Sequence, residues 1–354
     1  MRVRVAGWPL TVAAVGLSTA GFVLHAPPGA AFVLEALSVS LLARHIGWAT
    51  GSLANAHGPQ IGALLSAAFG NVVELMIAIM ALRAGLYDVV KASIVGSMLA
   101  NLLLTLGVCM IVGGMRRQFQ HFNQVKAGVN STMLFTAVAG LAVTSVYALR
   151  HGVTWRTEAL SIGVSTVFLV VYILGLVFSM GTHRALFTQT EGEAAPGNRR
   201  MSRKEIKTAW FELAVATLLV APQSDLLVHT VQPLAQGIGL RPDFIGLIFL
   251  PMVGAAPEFF SAIVLSRRNQ MEGSMEIAVG SSLQIALFVA PVLVLSGALM
   301  ARPLNLVFTP MEVIMMFLAA ILTSLVSLDG ETNWFEGTLV TATYLLFALL
   351  FLFK

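Results

Sequence analysis

The polarity of this chain comes in long blocks. Eleven apolar stretches, at 8–25, 29–47, 58–83, 87–114, 126–149, 155–181, 207–229, 240–266, 273–300, 307–327 and 334–353, alternate with short polar breaks. Each is close to, or longer than, the roughly 20 residues an α-helix needs to cross the ~30 Å hydrocarbon core of a bilayer. Such continuous runs exclude an outer-membrane barrel, whose strands alternate with period two. Gly is abundant inside them, as helices that approach closely in a membrane require. The pattern predicts an all-α polytopic membrane protein of eleven transmembrane helices.

Within this pattern the run Gly70-Asn71-Val72-Val73-Glu74-Leu75 is exceptional, because it puts a carboxylate inside an apolar, membrane-length segment. An ionised acid at the bilayer centre costs about 2.5–3.5 kcal/mol on insertion scales, so such residues mark ion or proton pathways. The chain repeats the device 184 residues later at Gly254-Ala255-Ala256-Pro257-Glu258. The same offset places Gly62 on Gly246, Ala78 on Ala262, Arg83 on Arg267 and Ser97 on Ser281. About a quarter of positions match between 62 and 113, the mark of an internal repeat. The predicted organisation is an extra amino-terminal helix (1–27), a first five-helix half (28–181), a cytoplasmic linker (182–206) and a second five-helix half (207–354). An odd number of crossings per half forces the two repeats into inverted topology, a plan that puts the substrate site near the midplane.

Charge adds orientation. With the amino terminus inside, fourteen of the 21 Lys and Arg fall on the cytoplasmic side, which fits the positive-inside rule and leaves the carboxyl terminus outside. Met1-Arg2-Val3-Arg4 before an apolar run also resembles a signal peptide, but a retained first helix is the more economical reading. Only 11% of residues are charged and the net charge of +4 is spread over loops, so nucleic acid is not an expected partner. The single Cys109 permits no intrachain disulfide and reads as a small buried hydrophobe. No Walker-type loop is present, and neither an enzyme nor a bound cofactor is expected.

Twenty-two residues after each glutamate comes a second cluster of small residues, Gly96-Ser97 in one half and Gly280-Ser281-Ser282 in the other. Gly70 and Gly254 allow local unwinding, and Ser97, Ser281, Ser282, Asn101 and Gln284 add oxygens. If the helix runs through Pro257, the carbonyl of Val253 loses its N–H partner and becomes available to an ion or water. This oxygen-only set suits a hard divalent cation such as calcium. Burial favours the neutral form of a carboxylic acid and a divalent cation favours the charged form, so proton and cation should compete at Glu74 and Glu258. Glu35, Glu212 and Glu312 lie near predicted span ends, where a carboxylate can reach water. The seven His form no paired ligand motif and read as interfacial. Asp329, Glu331 and Glu336 read as solvated loop charge, and Arg83 and Arg267 as helix-end caps.

These motifs, with Asn101-Leu102-Leu103-Leu104, Ala278-Val279-Gly280-Ser281-Ser282-Leu283-Gln284-Ile285-Ala286, and Asp329-Gly330 followed by Asn333-Trp334-Phe335-Glu336-Gly337, resemble the calcium/cation proton antiporter (CAX) family of the cation/calcium exchanger superfamily over nearly the whole chain. The resemblance implies that the family's essential acids are Glu74 and Glu258, its first-repeat Asn is Asn71 and its second-repeat Gln is Gln284. The second repeat departs from the family's Gly-Asn-Ala-Ala-Glu-His: Ala255, Pro257 and Phe259 replace an Asn, an Ala and the His, removing an amide and a titratable ring beside Glu258. The implied activity is secondary active export of cytosolic calcium against protons across a bacterial inner membrane. A sodium/calcium-type or broader divalent cation exchanger is the alternative. The expected partners are calcium, protons and the lipid bilayer, and a homo-oligomer is compatible with the sequence.

Overall fold

The computed structural model describes residues 7–182 and 201–353, so the signal-like start at Met1–Arg4, most of the polar linker, and Lys354 lie outside the described residues. The architecture is almost entirely helical. The first half contains α1 (Trp8–Val23), α2 (Pro28–His57), α3 (Pro59–Phe69), α4 (Val72–Arg83), α5 (Tyr87–Leu99), α6 (Leu106–Gly114), α7 (Gln124–His151) and α8 (Trp155–Val177). The second contains α9 (Arg203–Ile238), α10 (Pro242–Gly254), α11 (Ala256–Arg267), α12 (Met271–Gln284), α13 (Ala290–Leu299), α14 (Pro310–Leu325) and α15 (Trp334–Leu352). All eleven apolar stretches are therefore helical. Among the described residues, eight helices are long and apolar enough to cross a membrane, or nine if α10 and α11, bent by 59°, form one span. The two others, α1 and α14, have 16 residues each. At 1.5 Å per residue each is about 24 Å long, short of the hydrocarbon core.

The 184-residue offset reappears in the helix boundaries. Helix α4 ends at Arg83 and α11 at Arg267; α5 starts at Tyr87 and α12 at Met271; α6 starts at Leu106 and α13 at Ala290. Each half breaks just ahead of its glutamate, at Gly70–Asn71 and at Ala255. Each also carries a π-helical turn, at Ala100–Thr105 and Ile285–Val289. Such turns insert an extra residue into a helix and recur at functional sites.

The chain divides into two compact units that each draw on both halves of the sequence: Met1–Ser93 with Arg199–Pro257, and Ile94–Asn198 with Glu258–Lys354. The first unit is built on α2 packed along α9, with α1 against both and α10 against α2, α4 and α9. Helix α9 opens with a Ser202/Glu205 capping box and closes at Gly239 in the left-handed conformation. Its 36 residues correspond to about 54 Å, well beyond the hydrocarbon core. Inside this unit the hydroxyls of Ser18 and Ser38 donate to Gln223 Oε1 at 2.8 and 2.7 Å. Hydrogen bonds of this kind tie helices together where water is absent.

In the second unit α6 packs on α15, α7 on α14, α8 on α13, and α12 on α6 and the first π turn. The α6–α15 contact is backbone against backbone. A Cβ added to Gly337 would lie 2.6 Å from the Gly107 carbonyl oxygen, so only Gly fits there. A two-stranded ribbon joins Gln120–His121 to Glu331–Thr332. Cys109 is fully buried, as expected of a small hydrophobe.

Candidate functional site

Each glutamate sits at the third residue of a helix that starts after a break: Glu74 in α4 and Glu258 in α11. Helix N-termini present unpaired N–H groups and the positive end of the helix dipole, an environment that favours a carboxylate. The sequence therefore achieves in both repeats what a continuous helix could not, since a mid-helix acid has only satisfied backbone around it.

In the first unit Glu74 and Asn71 are both buried, Asn71 at the N-cap position of α4 and Gly70 at the end of α3. Gly254, the last residue of α10, lies against the acid. A Cβ there would stand 2.9 Å from Glu74 Cγ, 3.0 Å from Cδ and 3.1 Å from Oε1. Gly254 was expected as a helix-breaking support; its absent side chain is also the space that the Glu74 carboxyl occupies. The expectation for Pro257 is corrected. The helix does not run through it: α10 stops at Gly254 and Pro257 falls in the first turn of α11, where a missing N–H costs nothing. The Val253 carbonyl instead accepts a 3.2 Å hydrogen bond from the Ser40 hydroxyl.

In the second unit the Ser281 hydroxyl of α12 donates to Glu258 Oε2 at 2.6 Å. Its neighbour Ser282, also predicted as a ligand, turns elsewhere and donates to the Ala278 carbonyl at 3.0 Å. Ser97 is buried on α5, one turn before the first π segment, and Gln284 is half-buried at the end of α12, where the second begins. Asn101, inside the first π turn, is buried with neither amide atom hydrogen-bonded among the described residues. Taken unit by unit, the candidate residues are carboxylates, hydroxyls and amides, with no thiol beside either glutamate among the described residues.

The secondary acids depart from expectation. Glu35, Glu212 and Glu312 do not reach water; they are 0%, 5% and 6% exposed. Glu312 caps α14 through Thr309, and Glu336 caps α15 with Asn333. His45, expected at an interface, is buried between the Thr11 hydroxyl at 3.0 Å and Glu212 at 3.6 Å, with Trp8 stacked on its ring. One cluster was missed by sequence reasoning. Lys126, buried in the first turn of α7, pairs with Glu276 at 2.9 Å and Glu272 at 3.5 Å. The three line a cavity with Asn130, Ser131 and Thr323. The spacing of Glu272 and Glu276, one helical turn apart, was the available signal.

Helices broken before first-turn glutamates, in a repeated membrane scaffold, define an ion-exchanger fold, and the chain belongs to the sodium/calcium exchanger protein family, whose model matches residues 28–181 and 208–353. Within it, the chain belongs with the calcium/proton antiporters. It is 39% identical to the Ca(2+)/H(+) antiporter of Aphanothece halophytica, covering 96% of this chain and 94% of that one. It is 40% identical to the Ca(2+)/H(+) antiporter ChaA of Bacillus subtilis, covering 96% and 97%. Among solved structures it resembles native YfkE at a TM-score of 0.85 and 37% identity, covering 98% of this chain and 100% of that chain. The H+/Ca2+ exchanger CAX, at 14% identity and a TM-score of 0.75, shares the fold.

Proposed function

We propose that this protein is a calcium/proton antiporter that exports cytosolic calcium by alternating access, with Glu74 and Glu258 alternately protonated and cation-bound. The observation that carries the reading is the recurrence, 184 residues apart, of a first-turn glutamate behind a helix break, in a chain about 40% identical end to end to antiporters of that name. Charged and empty is the costly state for acids out of water, whereas protonated or divalent-bound acids are neutralised. A carrier that reorients only when neutralised exchanges one cargo for the other. Asn71, Ser97, Ser281, Ser282 and Gln284 supply further oxygens for calcium in this reading, Ser282 through its lone pairs. The first-turn position lets backbone N–H groups steady each carboxylate without spending a side chain. The two sequence halves act as inverted repeats, with the amino terminus cytoplasmic and the carboxyl terminus outside, as the distribution of Lys and Arg supports.

Proteoliposome flux with pH and sodium gradients imposed separately tests the reading. Calcium movement driven by the pH gradient and indifferent to sodium is expected. Dependence on sodium with indifference to pH would overturn it in favour of a sodium/calcium exchanger.

A further inference from the structure

The exchange mechanism uses two acids, yet the first unit contains a third that is buried more completely. Glu35 lies in the second turn of α2 and is 0% exposed. Neither of its carboxyl oxygens receives a hydrogen bond of normal geometry among the described residues. The group facing them is the hydroxyl of Thr230 on α9. That hydroxyl already donates to the Leu226 carbonyl at 3.2 Å, so only its lone pairs remain, and an acceptor can satisfy Glu35 only if Glu35 carries a hydrogen.

Among the surrounding charges, His229 on α9 acts on Glu35, and the others are distant or engaged. Helices α1 and α3, which pack on α2, contain no titratable residue. On α10 Asp243 is held by Arg241 at 2.9 Å. On α9 His229 is about half exposed and lies 3.8 Å from the Asp225 carboxylate, while Glu212 is engaged with His45. On α2 itself Arg44, His45 and His57 are nine or more residues along the helix, at least about 13 Å away. With one hydroxyl, already engaged with Leu226, facing both of its oxygens, an ionised Glu35 is poorly compensated out of water.

We propose that Glu35 is a proton-binding site separate from Glu74 and Glu258: it holds a proton while α2 packs on α9 as it does here, and releases it when that interface opens to water. Closing the interface then takes up a proton of its own. The Thr230 hydroxyl is the relay. With Glu35 protonated, the carboxyl O–H donates to Thr230 and Thr230 donates to Leu226; with Glu35 ionised, the Thr230 O–H turns to the carboxylate. His229, the next residue, is about half exposed. The proposal rests on the antiport reading, because it deepens how protons drive the cycle.

Two measurements test it. In proteoliposomes, the calcium half-saturation of wild type and Glu35→Gln is followed against pH. Each coupled proton contributes at most tenfold per pH unit, so the variant should lose up to tenfold per unit of steepness while still transporting calcium. Equal steepness in both proteins would overturn the proposal, whereas a wild type with no pH dependence would overturn the antiport reading instead. In infrared difference spectra of the purified protein, Glu35→Gln should lose a protonated-carboxyl band that Glu74→Gln and Glu258→Gln both keep. Should Glu35→Gln fail to fold, Thr230→Val decides: the same band should shift as its acceptor disappears, and an unmoved band would overturn the assignment.

Discussion

Replacing Gly254 with Ala is the most direct probe of how the Glu74 carboxyl is seated. The new Cβ would stand 2.9, 3.0 and 3.1 Å from three successive atoms of the Glu74 side chain, where carbon atoms normally rest 3.5–4.0 Å apart. The methyl and the acid cannot both keep their places, and the acid, being a side chain, is the one that moves. Overpacking of this kind costs about 1–3 kcal/mol. Falling on the carboxyl proposed to bind cation, that cost translates into calcium half-saturation roughly 5–150-fold weaker, with little loss of fold. The assay is calcium uptake into proteoliposomes across a calcium series, beside thermal unfolding in detergent. Gly163→Ala on α8 is the control, because nothing lies within 4 Å of its Cβ position; it should transport as wild type. Wild-type half-saturation in Gly254→Ala would refute the idea that Glu74 must occupy this place to bind cation.

Other outcomes follow from the same geometry. Glu74→Gln and Glu258→Gln should each abolish calcium/proton exchange while eluting as folded protein on gel filtration; substantial exchange by either removes that residue from the site. Ser281→Ala deletes the 2.6 Å hydrogen bond to Glu258. Hydrogen bonds to charged groups contribute about 1.5–3 kcal/mol, so calcium half-saturation should weaken about tenfold or more, and an unchanged value would show that the bond is not used in the cation-bound state. Gly337→Ala forces α15 off the Gly107 carbonyl, 2.6 Å from the new Cβ. Because backbone cannot swing aside, stability should fall by about 1–3 kcal/mol, read as a lower unfolding temperature; an unchanged one would mean the helices separate freely.

The sequence made the repeat visible because membrane burial leaves so few acids that two at a fixed offset stand out. Apolar blocks likewise marked every helix, since lipid enforces long runs. What remained hidden depended on which helix faces which. Lys126 meets Glu272 and Glu276 from about 150 positions away, and no local pattern announces such a partner. Glu35 read as a span-end acid within reach of water because hydropathy measures distance along a helix, not the packing of α9 against it. Pro257 misled for a related reason. Treated as part of one long helix it should free a carbonyl, but the chain breaks two residues earlier and Ser40, over 200 positions away, closes the gap.

The π-helical turns at Ala100–Thr105 and Ile285–Val289 act as phase shifters. One residue more or less turns everything downstream by about 100°, so a single rod can aim its two ends in directions a uniform helix would not allow. In the first repeat the rod carries Ser97 before the turn and Gly107 after it, where Gly107 meets Gly337. Deleting one residue from that turn would restore regular winding and rotate Gly107 away from α15, bringing a bulkier neighbour to a seam that accepts only backbone. The irregularity therefore lets one helix serve two neighbours whose demands are out of step.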